Sequence, residues 1–395
     1  MKTVNDINFS GKKALIRVDF NVPLDKKTFE VTDNNRISAT IPTLKKILKD
    51  GGSCILMSHL GRPKEGPEEK YSLKHTVKTA EKLLGVSVQF ASDCIGPEAE
   101  TKAKNLKPGE VLLLENLRFH KEEEKGDITF AKQLFQLGDI YVNDAFGTAH
   151  RAHASTTVVA QFFIEKCAGF VMAAELDNAK RVMEKAEKPF TAIMGGAKIS
   201  DKILIIEKLL DKVDHLIIGG GMSYTFFKAM GGQIGNSLVE NDKLELAKEL
   251  IQQAKAKGVE LHLPIDSVIA DKFDAEANTD TASNLSIPEG WMGLDIGPQS
   301  CHVFSNVIKD SKTILWNGPM GVFEMKKFEA GTKAVADAIV KATHGGAFSL
   351  IGGGDSAAAI AKFKMENEVS YVSTGGGALL EYFEGKILPG VKALE

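Results

Sequence analysis

Arginine is scarce in this chain of 395 residues. Only six occur, Arg17, Arg36, Arg62, Arg118, Arg151 and Arg181, with none after Arg181. Cysteine is equally thin: Cys54, Cys94, Cys167 and Cys301 lie far apart and form no CxxC pair. That spacing argues against a zinc ribbon or a disulfide framework and for reduced, mostly buried thiols in a reducing compartment. No apolar run approaches the roughly 18 residues of a membrane-spanning helix. The first residues, MKTVNDINFSGKK, lack the apolar stretch and cleavage site of a signal peptide, so a cytoplasmic protein is expected. Excess charge is missing as well. A net charge of -3 and a pI near 6.3 argue against nucleic acid or an anionic membrane as the main partner.

What is present suits two globular domains: 43% hydrophobic and 26% charged residues over a length too great for one ordinary core. Lysine carries the ordinary surface charge. Arginine kept in one half reflects either lineage bias or use of its planar fork, which grips carboxylate and phosphate oxygens two at a time.

Apolar, β-branched runs alternate with helix-like segments. Strands are expected at Ala14–Val18, Cys54–Met57, Val86–Phe90, Val111–Leu114, Ile140–Val142, Thr191–Met194, His215–Ile218, Glu260–Leu263, Thr313–Trp316, Phe348–Ile351 and Ser370–Val372. Most are apolar on both faces, as in a buried parallel sheet. Amphipathic helices are expected at Leu73–Leu84, Phe130–Leu137, Asp201–Lys212, Lys243–Lys257 and Lys333–Thr343. The pattern predicts two doubly wound parallel-sheet α/β domains of Rossmann-like type, residues 1–169 and 189–377, joined by a helix over 170–188. Whether the tail from about 378 to 395 packs back on the first domain is left open by periodicity. The run KEEEK at Lys121–Lys125 reads as a solvated loop.

Ligands of open α/β sheets bind beyond the carboxyl ends of the strands. In the first half those ends read Asp19-Phe20-Asn21, Ser58-His59-Leu60-Gly61-Arg62, Glu115-Asn116-Leu117-Arg118 and Asn143 to Arg151, with Arg36 close by in sequence. Each arginine alone is more often a surface ion pair. Several along one rim point to a pocket for a small, multiply charged anion. His59 could be a core histidine or a ligand contact, and His150 and His153 read as structural. Asp19 either orients an arginine or accepts a substrate hydroxyl.

The strand ends of the second half are glycine-rich: Gly195-Gly196-Ala197-Lys198, Gly219-Gly220-Gly221, Asn317-Gly318-Pro319, Gly352-Gly353-Gly354-Asp355-Ser356 and Gly375-Gly376-Gly377. Such loops let backbone N–H groups approach a phosphate; tight turns explain one or two of them. No GxxxxGK[ST], HRD or DFG occurs, which excludes Walker-type and protein-kinase modes. Gly352–Ala357 fits the loose dinucleotide pattern, so a nicotinamide dehydrogenase competes. Against it, Asp355 would face a pyrophosphate unless a cation such as Mg²⁺ lies between them. Lys198 and Lys202 are expected on one helix face near a transferring phosphoryl group, and Glu324 could accept ribose hydroxyls.

Nine motifs in order then carry a resemblance: RVDFNVP (Arg17–Pro23), SHLGRP (Ser58–Pro63), LLENLRF (Leu113–Phe119), NDAFGTAHRAHAS (Asn143–Ser155), GGAKISDKI (Gly195–Ile203), GWMGLDIGP (Gly290–Pro298), WNGPMGVFE (Trp316–Glu324), GGGDS (Gly352–Ser356) and STGGGA (Ser373–Ala378). The chain resembles the phosphoglycerate kinase family over nearly its whole length. The resemblance implies reversible phosphoryl transfer between 1,3-bisphosphoglycerate and Mg-ADP, giving 3-phosphoglycerate and ATP, with domain closure in a monomer. It implies phosphoglycerate binding by Asp19, Phe20, Asn21, Arg36, His59, Leu60, Gly61, Arg62, Arg118 and Arg151. It implies nucleotide binding by Gly196, Ala197, Lys202, Gly220, Asn317, Pro319, Glu324 and Gly352, Gly353, Gly354, Asp355 and Ser356. Arg36, Lys198, Gly354 and Gly377 would surround the transferring phosphoryl, and Asp355 would hold Mg²⁺. A binding protein without catalysis is disfavoured because every chemical position is filled.

Overall fold

Strands without polar alternation must be covered on both faces, and four such runs in the first half, with two more polar strands, form one all-parallel sheet. In the computed structural model, which describes Met1–Glu395, they are β1 (Lys13–Arg17), β2 (Ser53–Met57), β3 (Val88–Ala91), β4 (Val111–Leu114), β5 (Ile140–Asn143) and β6 (Lys166–Ala168), in the order β3-β4-β2-β1-β5-β6. β2, β4 and β5 are buried throughout. Ile16, Phe20, Leu44, Leu56 and Leu113 share one core, each such side chain stabilising by about 1.5–3 kcal/mol when fully buried. Arg17 is in register with Met57 on one side and Asn143 on the other. The residues after β1, β2 and β5 therefore emerge along one edge. β6 was not expected: three residues opening on a lysine are too short for periodicity to register.

The second sheet is also parallel, in the order β10-β8-β7-β15-β16-β17. Its region holds β7 (Phe190–Met194), β8 (His215–Ile218), β9 (Gln233–Ile234), β10 (Glu260–His262), β11 (Asp266–Ala270), β12 (Thr279–Ser283), β13 (Ser286–Ile287), β14 (Met292–Ile296), β15 (Thr313–Asn317), β16 (Phe348–Gly352) and β17 (Tyr371–Val372). An antiparallel sheet β12-β11-β14 and a short pair β13-β9 were not foreseen. β12 reads Thr-Asp-Thr-Ala-Ser and is mostly exposed, so it carries no apolar signal.

The chain divides into two compact units, Met1–Asp177 with Lys386–Glu395, and Asn178–Gly385. The helix Phe170–Glu184 runs through that boundary. At its first turn the buried Asp144 carboxylate accepts N–H bonds from Val171 (2.8 Å) and Met172 (3.3 Å). Burial pushes its pKa up to about 6. In the tail, Gly390 donates to the Ala149 carbonyl at 2.8 Å within the first unit.

Two sequence expectations are corrected. Lys121–Lys125 is a short helix rather than a solvated loop. Its Glu123 is 1% exposed and accepts from Ser155 N (2.9 Å) and Oγ (2.5 Å); a charge run seen in sequence hides the one member that faces inward. Lys198 and Lys202 do not share a helix face, because the helix spans Ile203–Leu209 with Lys202 as its N-terminal flank and Lys198 in the loop before it.

Candidate active site

Five of the six arginines fall in the first unit, and four of them, together with His59 and His153, crowd the strand ends of its sheet. Arg17 closes β1 and is 1% exposed. Its Nε donates to Ser155 Oγ (3.0 Å), one terminal nitrogen donates to the Val18 carbonyl, and Nη2 lies 3.1 Å from His59 Nδ1. A guanidinium only donates, so His59 Nδ1 accepts and the ring is neutral. Burial holds the His59 pKa well below the usual imidazole value, helped by Arg17, Arg118, Arg151 and Arg36. His153 is pushed down to about 4 by burial and then by Arg118, Arg151 and Arg17. Two imidazoles kept neutral by burial first and by surrounding guanidinium groups second mark a positive locus. Its buried counter-charge is Glu123, whose own pKa is raised by burial although Arg17 and Ser155 oppose the shift.

Around this locus the sequence-selected residues take definite places. Arg36 lies 3.1 Å from Asp19 Oδ2 and donates to the Asn21 carbonyl at 3.1 Å; its side chain is 39% exposed, so the fork can still meet a ligand. Asp19 thus pairs with an arginine. Asn21 Oδ1 accepts from Gly61 N at 2.8 Å, tying the β1 loop to the β2 loop. Phe20 is buried and donates its N–H to Ser58 Oγ (2.9 Å), and the Leu60 carbonyl accepts from Asn116 Nδ2 (2.7 Å). Arg118, 8% exposed, donates to the Gly61 carbonyl (3.1 Å) and faces Glu124 at 3.4 Å. Its Nη2 is buried with no hydrogen-bond partner. Arg151 is half-buried and donates to His150 Nε2 (3.3 Å); Arg62 is exposed. Sequence reasoning passed over Arg17 and Glu123. Arg17 opens the RVDFNVP motif, and that was the available signal; Glu123 gave none.

In the second unit a cleft of about 440 Å³ opens among the glycine loops, lined by Gly196, Ala197, Gly220, Pro319, Glu324 and Asp355. This volume suits a small-molecule site. Its other walls are apolar, with Leu238, Phe273, Met292 and Leu294 among them. Leu238 and Phe273 are 48% and 61% exposed, an apolar surface suited to a flat ring. These residues come from loops and the antiparallel sheet, which is why sequence reasoning missed them.

The glycines divide into two kinds. A Cβ at Gly195 would overlap the Pro319 and Gly318 carbonyls, one at Gly219 the Met320 sulfur, and one at Gly293 the Tyr224 hydroxyl. These glycines let loops pack on one another. At Gly196 and Gly354 a Cβ would meet nothing within 4 Å. Gly354 opens the helix Gly354–Lys362, with Asp355 exposed beside it in the first turn. Gly377 opens the helix Gly377–Phe383. Glycine-rich strand ends are therefore partly a packing device, and only some present free backbone to a ligand.

Asn317 joins these loops. Its Oδ1 accepts from Lys202 Nζ, and its Nδ2 is buried without a partner beside Gly353. Burial lowers the Lys202 pKa, opposed by Asp355, Asp201 and Glu384. Ser356 Oγ accepts from Gly318 N at 2.6 Å, fixing one phosphate-type loop to the next. Lys198 and Glu324 are exposed.

The phosphoglycerate kinase family model matches residues 4–386. A phosphoglycerate kinase of Porphyromonas gingivalis is 54% identical over all of both chains. A chloroplastic phosphoglycerate kinase of Volvox carteri is 55% identical over all of this chain and 86% of its own. The solved phosphoglycerate kinase of Coxiella burnetii superposes with a TM-score of 0.90 at 40% identity, covering 99% of this chain and 98% of that one. None of these relatives supports the dehydrogenase reading, and no helix is long and apolar enough to cross a membrane. The chain belongs to the phosphoglycerate kinase family, enzymes that transfer a phosphoryl group between a nucleotide and the carboxyl group of 3-phosphoglycerate.

Proposed function

We propose that the two units divide the substrates, 3-phosphoglycerate or its 1,3-bisphosphate on the first and Mg-ADP or Mg-ATP on the second. The observation that carries this reading is the pair of buried donors left without partners, Arg118 Nη2 and Asn317 Nδ2. An unpaired buried donor costs about 1–3 kcal/mol, a penalty that a ligand oxygen removes. On this reading the forks of Arg36, Arg62, Arg118 and Arg151 hold the phosphate and carboxylate of the acid, and Asn21 and His59 fix its orientation. The apolar cleft takes the nucleoside and Glu324 the ribose hydroxyls. Lys202, Asn317 and the loop Gly352–Ser356 take the phosphates.

The donor chemistry at Asp355 fits Mg²⁺: an exposed carboxylate in the first helical turn, a hard oxygen ligand of the kind this ion shares with nucleotide phosphates. Bound there, Mg²⁺ would neutralise phosphate charge. The attacking atom is a carboxylate oxygen of the acid or a β-phosphate oxygen of ADP. Neither carries a proton at neutral pH, so the chain supplies no general base. Its residues contribute position and charge: Lys198, Arg36 and the N–H groups of Gly354 and Gly377 are assigned to the phosphoryl group in transit. In-line transfer requires the ligands to meet, so ligand-driven closure hinged near residues 170–188 belongs to the reading. Localisation in the cytoplasm and a monomeric state complete it, the latter open to light scattering.

Hydrogen exchange on the full chain tests the division. 3-Phosphoglycerate alone should protect Phe20 and Gly61, and Mg-ADP alone should protect Gly196 and Gly354. Protection in the opposite unit by either single ligand would count against it.

A further inference from the structure

On the edge strand β10, three donor atoms converge that the phosphoryl-transfer chemistry does not use. β10 runs parallel to β8, with Glu260 in register with His215. Glu260 and His262 are two apart and so point to the same face, the one that His215 also occupies. His215 Nδ1 lies 3.2 Å from His262 Nε2. Glu260 Oε2 lies 3.4 Å from the first nitrogen and 3.7 Å from the second.

We propose that His215, Glu260 and His262 form a site for a divalent transition-metal ion of the Zn²⁺ class, with a position left open for water. Ligands about 2.0–2.1 Å from a tetrahedral Zn²⁺ stand roughly 3.3–3.5 Å from each other. The three separations here bracket that spacing. A hydrogen bond between the two imidazoles accounts for the first separation alone; it does not require a carboxylate oxygen at nearly equal reach of both nitrogens. Two imidazoles and one carboxylate select Zn²⁺, Co²⁺, Ni²⁺ or Cu²⁺ over the hard Mg²⁺. The imidazoles are mostly sheltered, with side chains 23% and 18% exposed, while Glu260 is 69% exposed and leaves a path for the ion. An ion here would clamp the edge strand β10 to β8.

The test is a Co²⁺ titration of the full chain in excess Mg²⁺ without nucleotide, followed by visible d–d absorption and then by Zn²⁺ displacement. One Co²⁺ per chain is expected, displaced by Zn²⁺. Even second-sphere changes weaken metal sites about 10–100-fold. His262→Gln and Glu260→Gln should therefore each weaken Co²⁺ binding at least about tenfold. Both should retain kinase activity with Mg-nucleotide, which reports that the chain is folded. Should His262→Gln fail to fold, the exposed Glu260→Gln carries the test. Absence of saturable Co²⁺ absorption, or an affinity unchanged by either substitution, overturns the proposal.

Discussion

The two units offer an anion different chemistry. In the first, positive charge sits on arginine side chains clustered about two histidines that burial, and then those arginines, keep neutral. In the second, which has Arg181 as its only arginine, loops close on one another through glycine and present backbone N–H groups and an apolar wall. Side-chain forks match a small acid with charge at both ends. Backbone donors with a flat apolar surface match a ligand that joins a ring to a polyphosphate chain. A unit built on side chains should be altered residue by residue, whereas one built on backbone should be altered through its packing.

Four measurements test this contrast. The largest effect is expected from Lys198→Ala. As an exposed cation assigned to charge developing in transit, it should lower kcat by about 10²–10³-fold with little change in nucleotide Kd. Comparable losses in both would place it in ordinary binding. Next, Arg62→Ala should raise the KM for 3-phosphoglycerate about 10–100-fold, the worth of a charge-assisted contact, while ATP affinity stays constant. A matching loss of ATP affinity would erase the division between units.

The third measurement sorts the glycines. Gly195→Ala should destabilise the second unit by about 1–3 kcal/mol, because its Cβ collides with backbone carbonyls. Gly354→Ala meets open space and should leave the unfolding transition nearly unmoved while weakening nucleotide binding. Equal losses of stability would reject two kinds of glycine. The smallest effect concerns acid. The folded chain holds His153 neutral down to about pH 4, whereas an unfolded histidine takes its proton near 6.5. Between those values the unfolded chain binds more protons, so stability falls as pH drops through that window. In His153→Gln the urea midpoint should fall less between pH 7 and 4.5; an identical fall would show that His153 contributes nothing to the acid sensitivity.

Much of the fold was legible. Strands such as Cys54–Met57 and Val111–Leu114 are apolar on both faces, and only a covered parallel sheet accommodates that pattern. Segments lacking a strong period were not legible: Lys166–Ala168 is too short, and the polar Thr279–Ser283 is held by pairing with β11 rather than by burial. The site followed the same rule. His59, Arg118 and Asp355 stand just after strands and could be chosen from order alone, whereas Arg36 lies in the first turn of the helix Asn35–Lys49. Arg17 ends a strand, and Leu238 and Phe273 come from loops whose course the sequence leaves unspecified.

Residue order alone settles where the arginine forks and the glycine loops fall along the chain, because strand and helix periods are local properties. Tertiary structure alone decided which charges are buried and which stay wet. Glu123 within a charge run turned inward to Ser155 beside Arg17, and His215 met Glu260 and His262 across a strand pair. Desolvation and close contact depend on neighbours distant in sequence, and local pattern carries no record of them.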